Sequence, residues 1–337
     1  MRKIPNHLSM PLNKMTHSNN ITLSIIIVNL NTKDYLYECI KSVLQNTFDI
    51  LYDIFVIDNA SIDGSIEMIT SNFPQVKLIK KSENIGFAKA NNIALRQTNA
   101  EYVLLLNSDT KVLANSLNSA ISFLHANPNI CALSPKILNP NGTVQHPCYI
   151  GYPSIVSELS GFPVLGKLLK NYNAFGKYIP ADEEIHDIVH ATGACLFIRK
   201  KALDDVGILD ESLIFSFEDA DWCLRAKRKK WSLVYFPGSK VIHHGSATLN
   251  RVYGNKLNHS ILISKHRFFV KYHSRYYVGS LILLVLISSA IKIVVAYMRV
   301  LFCGDSREGK GPLMYYKQIC RWYLPMLLTT IYRKKTQ

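Results

Sequence analysis

Three polar clusters each follow a run of apolar residues rich in β-branched side chains. Asn29 and Asn31 follow residues 24–28, Asp58 and Asn59 follow 54–57, and Asn107 and Asp109 follow 102–106. In open α/β sheets a ligand binds outside the carboxyl ends of the strands. Three such ends carrying amides and carboxylates favour one shared polar site over three unrelated turns. A further concentration is Phe217-Glu218-Asp219-Ala220-Asp221, at the start of a helical pattern. Acids in a first turn complement the helix dipole, so capping alone would account for their presence. His243, His244 and Gly245 close the last apolar segments, 233–237 and 241–242. Seven cysteines, at 39, 131, 148, 195, 223, 303 and 320, include no CxxC pair. They read as reduced core residues, not as a zinc site or a disulfide framework. Residues 304–311 nearly match a phosphate-binding loop, but Gly311 stands where a hydroxyl is needed and no strand precedes it. A polar turn is expected there.

The elements that would position these residues alternate in type. The run at 23–28 has the unbroken apolar character of a strand buried on both faces. Tyr35, Leu36, Cys39, Ile40, Val43 and Leu44 recur at helical spacing. A strand at 54–57 precedes a helix that Asp63 can cap, with Ile66 and Ile69 on its apolar face. A short strand at 76–79, a helix over 87–96 and a strand at 102–106 complete four strand–helix alternations, which predicts an α/β fold with a mostly parallel sheet. The stretch 138–190 is rich in Pro, Gly and Tyr and reads as loops over the site. Order returns with a strand at 192–198, the acidic helix from 217, and strands at 233–237 and 241–242.

Charge divides the chain. It carries 39 Lys and Arg against 24 Asp and Glu, a net +15. From residue 251 onward there are 15 basic and 2 acidic residues, so the rest is nearly neutral. Hydrophobic residues make up 48%, which excludes wholesale disorder. Residues 1–20 are polar, with Pro5 and Pro11, and are expected to form a flexible leader with no signal sequence. Residues 276–298 form an apolar stretch with a single charge, Lys292, and its uncharged part is 16 residues long. Lys, Arg and Tyr on both sides suit an anionic membrane surface. Nucleic acid is not expected as a partner, because residues 281–287 are too apolar for a solvated, stacking surface. The tail is expected to lie in the interface or insert shallowly, since Lys292 divides the apolar run.

The segments SIIIVNLNTKDYLYECIKSV, FVIDNASIDGS, ENIGFAKANN, YVLLLNSDT, TGACLFIRK, FEDADWCLR and VIHHGSAT occur in this order. Together they resemble the family-2 inverting glycosyltransferases of GT-A fold, in particular a bacterial rhamnosyltransferase-like branch. The resemblance covers about residues 21–249. It implies that Asn29 and Asn31 serve the nucleotide and that Asp58 accepts a pyrimidine N–H. It also implies donor contacts from Asn84, Gly86, Lys89, Asn107 and Gly193. Gly86 allows close backbone approach, and Thr192-Gly193-Ala194 leaves room for a sugar. For Asp58 and Asn84 capping of the following turns is the competing account. Asp109 takes the place of the last acid of the DxD metal motif, with Asn107 at the first. His243 matches a late metal-binding His, for Mg2+ or Mn2+; a core histidine is the alternative, and strand alternation turns only one of His243 and His244 inward. Asp219 is the implied base and Glu218 an acceptor-orienting group.

The expected organisation is a leader over 1–20, a GT-A domain over 21–250 and a basic, membrane-associating helical tail over 251–337. The expected activity is inverting, metal-dependent transfer of a sugar from a dTDP- or UDP-sugar donor to a lipid-linked saccharide acceptor. The leading donor is dTDP-L-rhamnose, and the place is the cytoplasmic face of the plasma membrane. A nucleotide-sensing membrane adaptor with a decayed site is the rival from another class.

Overall fold

The computed structural model of the chain describes residues 21–145, 148–160, 162, 165–173, 175–179, 183–245, 259–303 and 306–332. The expected leader, 1–20, lies outside the described residues. In chain order the elements are β1 (Leu23–Asn29), α1 (Lys33–Asn46), β2 (Tyr52–Asp58), α2 (Ser65–Asn72), β3 (Lys77–Lys80), α3 (Phe87–Leu95) and β4 (Tyr102–Asn107). Then come β5 (Thr110–Val112), α4 (Ser116–Ala126), β6 (Ile130–Leu138), β7 (Cys148–Tyr149), α5 (Ile155–Leu159), α6 (Leu165–Leu168), β8 (Tyr172–Asn173), β9 (Gly176–Lys177), β10 (His186–Ile188) and β11 (His190–Ala191). The last are β12 (Cys195–Arg199), α7 (Lys200–Val206), α8 (Glu218–Arg228), β13 (Ser232–His243), α9 (His259–Tyr272), α10 (Arg275–Cys303) and α11 (Ser306–Tyr332).

These elements fall into two compact units. One is drawn from Met1–Ile150, Ile179–Glu211 and Glu218–Thr248, the other from Gly151–Tyr178, Ser212–Phe217 and Leu249–Gln337. The second unit therefore takes two segments from the first 250 residues as well as the C-terminal part.

The first unit is built on a mixed sheet of order β10-β13-β6-β12-β4-β1-β2-β3, with β5 on β13. Strands β3, β2, β1 and β4 run parallel. β12 is antiparallel to both β4 and β6, and β6 and β13 are parallel to each other. Side-chain alternation along β1 sends Ile25 and Ile27 into one apolar layer with Leu36, Ile40 and Val43 of α1. It sends Ile26 into the other, with Ala90 and Ala94 of α3 and Trp222 of α8. All three isoleucines have no exposed surface, and burial of each contributes about 1.5–3 kcal/mol. Helices cover both faces, which is why β1 carries no polar alternation.

Two local expectations are corrected. Residues 192–194 form a turn, and the strand begins at Cys195. The segments at 233–237 and 241–242 belong to one strand, β13, because a register shift between Phe236 and Lys240 absorbs Pro237 without ending it. Gly64 and Thr32 hold the N-cap positions of α2 and α1, and Asp63 serves both helices from outside them: Oδ1 accepts the Ser65 N–H of α2 at 3.1 Å and Oδ2 the Lys33 N–H of α1 at 2.8 Å.

The second unit is mainly helical, with the short β8-β9 pair as its described strands. α10 packs along α11, and Phe217, Phe268 and Phe269 are buried in it. Lys265 and Glu158 form an ion pair at 2.5 Å, and Ile155 N–H donates to the Tyr277 hydroxyl at 2.9 Å. Within Arg275–Met298 of α10 an 18-residue window has a mean hydropathy of 2.5, and the helix is long and apolar enough to cross a membrane. Lys292 lies over the Tyr316 ring of α11, 5.2 Å from its centroid. The polar turn expected at 304–311 is helical from Ser306.

Candidate active site

The strand-end clusters of β1, β2 and β4 meet through a buried chain of hydrogen bonds. Asn29 donates its amide to Asp58 Oδ2 at 2.8 Å and to Ser61 Oγ at 3.0 Å. Thr32 Oγ1 donates to Asn29 Oδ1 at 2.6 Å and lies 2.8 Å from Ser108 Oγ. Asn31 has φ +53, a left-handed conformation that Asn tolerates better than most residues. Its N–H bonds Ser61 Oγ, and its Oδ1 accepts from Ile62 N–H. Asp58 is 0% exposed and its second oxygen accepts the Ser61 N–H at 2.8 Å. Its carboxylate therefore braces two loops in this structure. Each oxygen keeps a second acceptor site, so contact with a base would need an opening to this buried group and not the loss of either bond.

The next segment completes this side. Asn84 is exposed and its Oδ1 accepts the Gly86 N–H at 3.0 Å, the capping geometry set against donor binding above. Gly86 has φ +86 and ψ 167, a conformation open essentially to glycine alone, and it turns the chain into α3. Asn59 holds that turn from below through Ile85 N–H and Gly86 C=O, both at 3.4 Å. Lys89 stands exposed on the first turns of α3.

A second group forms where β5 pairs with the end of β13. The register sets Thr110 opposite His243. Asp109 Oδ1 lies 3.1 Å from His243 Nε2, and Asn107 Nδ2 lies 3.4 Å from the same nitrogen. His243 Nδ1 is 3.0 Å from Gln145 Oε1. His244 leaves this group and packs on the Tyr35 ring at 4.9 Å. Alternation along the strand thus separates the two histidines, and His243 is the one beside Asp109.

This pair fits a small hard cation. Two neighbouring ligands of an octahedral Mg2+ at about 2.1 Å lie about 3 Å apart, close to the separation found. Among the described residues no group of three His, Cys, Asp or Glu could hold a metal by itself. The protein would supply one carboxylate and one imidazole, and substrate phosphates the remainder.

The third group is at the start of α8. Ser216 and Phe217, with φ +66 and +72, turn the chain sharply into the helix. The three acids then part company. Asp221 has no exposed surface and bonds Arg225 at 2.8 Å; Arg225 in turn ties to the carbonyls of Val206 and Ile208. Asp219 accepts the Gly193 N–H at 2.8 Å on Oδ2 and the Ala220 N–H at 2.7 Å on Oδ1. Burial raises its pKa against the opposing pull of these N–H groups. Glu218 is 4% exposed with Oε2 lacking a hydrogen-bond partner. Burial, with the Asp219 charge second, holds its carboxyl well above the usual carboxylate range.

Gly193 joins the groups. A Cβ there would come 3.3 Å from the Phe87 ring and 3.9 Å from Asp219 Oδ2. The next residue, Ala194, accepts the Asn107 N–H at 2.9 Å. Asn29, Asp58, Asn107, Asp109, His243, Gly193 and Asp219 are therefore joined by hydrogen bonds and chain neighbours. Ser61, Thr32, Ser108, Phe87 and Gln145 are the participants that the sequence did not single out. Gln145 had one usable signal: 139–143, NPNGT, is a tight turn that folds the chain back beside the end of β6.

The profile of Glycosyl transferase family 2 matches residues 24–207. An uncharacterised protein of Sinorhizobium fredii, y4gI, is 27% identical over 240 residues, 67% of this chain but only 25% of that protein. An N-acetylglucosaminyl-diphospho-decaprenol L-rhamnosyltransferase of Mycobacterium tuberculosis is 25% identical over 211 residues, covering 59% of this chain and 68% of the relative. A crystal structure of GalNAc-T7 with UDP, GalNAc and Mn2+ superposes with a TM-score of 0.53 at 16% identity, covering 67% of this chain and 44% of the other. The fold is that of the GT-A transferases, with a mixed central sheet. With the profile match extending over more than half of its length, the chain belongs to glycosyl transferase family 2.

Proposed function

We propose that the chain transfers a sugar, with inversion, from a nucleoside diphosphate donor to a hydroxyl of a lipid-linked saccharide. The observation that carries this reading is the Asp219 carboxylate. It is fixed by two backbone N–H bonds beside Gly193, on the same run of bonds that leads to Asp109 and His243. In the reaction the acceptor oxygen bonds the anomeric carbon as the bond from that carbon to the diphosphate breaks. The acceptor proton passes to Asp219, and the nucleoside diphosphate departs. A single displacement of this kind needs one base, and a carboxylate with a raised pKa is better matched to an alcohol proton than an ordinary one. Mg2+ or Mn2+ held by Asp109 and His243 would offset the charge of the departing diphosphate. Glu218, held protonated, can donate a hydrogen bond to the acceptor. Asn29, Asn31, Asp58, Asn84, Gly86 and Lys89 form the nucleotide side, and Asn107 and Gly193 flank the sugar.

The donor we favour is dTDP-L-rhamnose and the setting cell-surface glycan assembly, on the strength of the mycobacterial relative's name. The second unit would hold the enzyme at the cytoplasmic face of the plasma membrane. Leu283, Ile287, Ile291, Val294 and Met298 are exposed at intervals of three or four along α10, an uninterrupted apolar stripe. Lys292 is directed to Tyr316 instead. The deciding experiment screens the purified chain against dTDP- and UDP-sugars with and without Mn2+, following release of the nucleoside diphosphate. Release from dTDP-rhamnose that depends on the metal supports the reading. Release from UDP-sugars alone transfers it to a UDP-dependent enzyme. No release from any donor with acceptor lipid present favours an adaptor.

A further inference from the structure

We infer that Gln145 is a positioning residue for His243: it fixes the ring tautomer and aims Nε2 at the cation. This rests on the reading of Asp109 and His243 as the metal pair. The argument begins with the orientation of the Gln145 amide. Its Nε2 donates to the His243 backbone carbonyl at 2.7 Å and to Asn139 Oδ1 at 2.9 Å. A carbonyl oxygen can only accept, so the nitrogen end of the amide is identified without ambiguity. The oxygen end, Oε1, then faces His243 Nδ1 at 3.0 Å, and Nδ1 must carry the hydrogen. In the neutral ring Nε2 keeps its lone pair.

That lone pair lies 3.1 Å from Asp109 Oδ1, which is also an acceptor. Without a metal a second ring proton can bridge these two atoms, and a bound divalent cation would take that proton's place. A histidine that ligates a metal through one nitrogen usually donates the other N–H to an acceptor that holds the ring in place. Gln145 meets that requirement, and it is itself held. The Asn139 side chain that receives its N–H donates to Thr143 Oγ1 at 2.8 Å, and Gln145 N–H bonds Ile137 C=O at 2.9 Å. The turn 139–143 therefore works as a bracket: it returns the chain along β6 and delivers one amide to the back of His243.

The test compares Mn2+ binding by the full-length wild type, Gln145→Ala and Gln145→Glu, by calorimetry in the presence of dTDP, together with ring 15N shifts of His243 in chain labelled at histidine. The His243 resonances are assigned by their loss in His243→Gln. We expect the wild type to show Nδ1–H. Gln145→Ala should mix the tautomers and bind Mn2+ roughly 10–100-fold more weakly, while Gln145→Glu, which still accepts from Nδ1–H but loses the donor to the His243 carbonyl, should keep the Nδ1–H tautomer. Wild type that binds Mn2+, with folded Gln145→Ala within about twofold of it, overturns the inference alone. Wild type that binds no Mn2+ overturns the metal reading and the inference with it. If Gln145→Ala does not fold, the wild-type tautomer decides, and Nε2–H overturns the inference.

Discussion

Replacing Asp219 by Asn changes almost no volume, yet the structure makes it a severe substitution for two separate reasons. The first is chemical. The amide cannot take the acceptor proton, and loss of a general base costs roughly 10²–10⁴-fold in turnover, or about 3–5 kcal/mol of barrier. The second follows from the two backbone donors. Gly193 N–H and Ala220 N–H each bond a different oxygen of the carboxylate, at 2.8 and 2.7 Å. An asparagine offers one oxygen, so its NH2 must face one of these N–H groups. The orphaned donor costs about 1–3 kcal/mol, which should appear as a lower melting temperature. Asp219→Asn should therefore lose at least about 10²-fold in kcat while nucleotide binding, measured by calorimetry with Mn2+, stays nearly intact. In the wild type the acid limb of kcat/KM against pH should lie above the range of an ordinary aspartate, because burial raises this pKa and only the ionised form accepts a proton. Asp219→Asn that retains turnover within about tenfold of wild type would refute the assignment.

Other outcomes follow from the same geometry. Asp109→Ala and His243→Ala should each weaken donor binding in the presence of Mn2+ by removing one of two ligands; unchanged affinity by calorimetry in both variants would show the metal pair is misplaced. Glu218→Gln removes a group whose folded pKa is raised. Wild-type stability then falls as pH climbs past the unfolded glutamate value, a loss the variant avoids, so its melting-temperature advantage should grow between about pH 5 and about pH 8. Gly193→Ala places a methyl 3.3 Å from the Phe87 ring and 3.9 Å from Asp219 Oδ2; kcat should drop by more than the melting temperature would suggest, and kinetics indistinguishable from wild type would discount a role for the gap. Ile287→Glu on the exposed stripe of α10 should abolish flotation with vesicles rich in anionic lipid, whereas high salt should release the wild type only if it lies in the interface.

The alternation of strands and helices was legible because β1, β2 and β4 are buried on both faces and show it in unbroken apolar runs. The ends of those runs marked the polar clusters, and the Glu-Asp-x-Asp segment marked the acids. Other features were not legible for identifiable reasons. The roles of Glu218, Asp219 and Asp221 differ through contacts with Arg225 and Gly193, which lie four and twenty-six positions away. Nothing in the local pattern separates them. The burial of Asp58 and its bond to Asn29 could not be read from the segment alone, because both depend on the pairing of β1 with β2. Gln145 lay in a stretch without periodicity, and its importance rests on the turn that returns it to His243. Lys292 seemed to break the apolar run, since a linear count cannot show that one face of α10 excludes it.

The register shift in β13 has a consequence for how the protein can vary. Residues 232–236 and 240–242 both pair with β6, in two different registers, and 241–243 pair on their other side with β5 and present His243. A slip by one residue would exchange His243 for His244 at the site, since neighbours on a strand face opposite ways. The bulge between Phe236 and Lys240 lets the two halves keep separate alignments on one strand. Repacking beneath the first half can then be absorbed at Pro237, Gly238 and Ser239 before it reaches the imidazole. The strand acts as a shaft with a slip joint: the register that presents His243 is set by 240–243 on β6 and β5, apart from the register of 232–236.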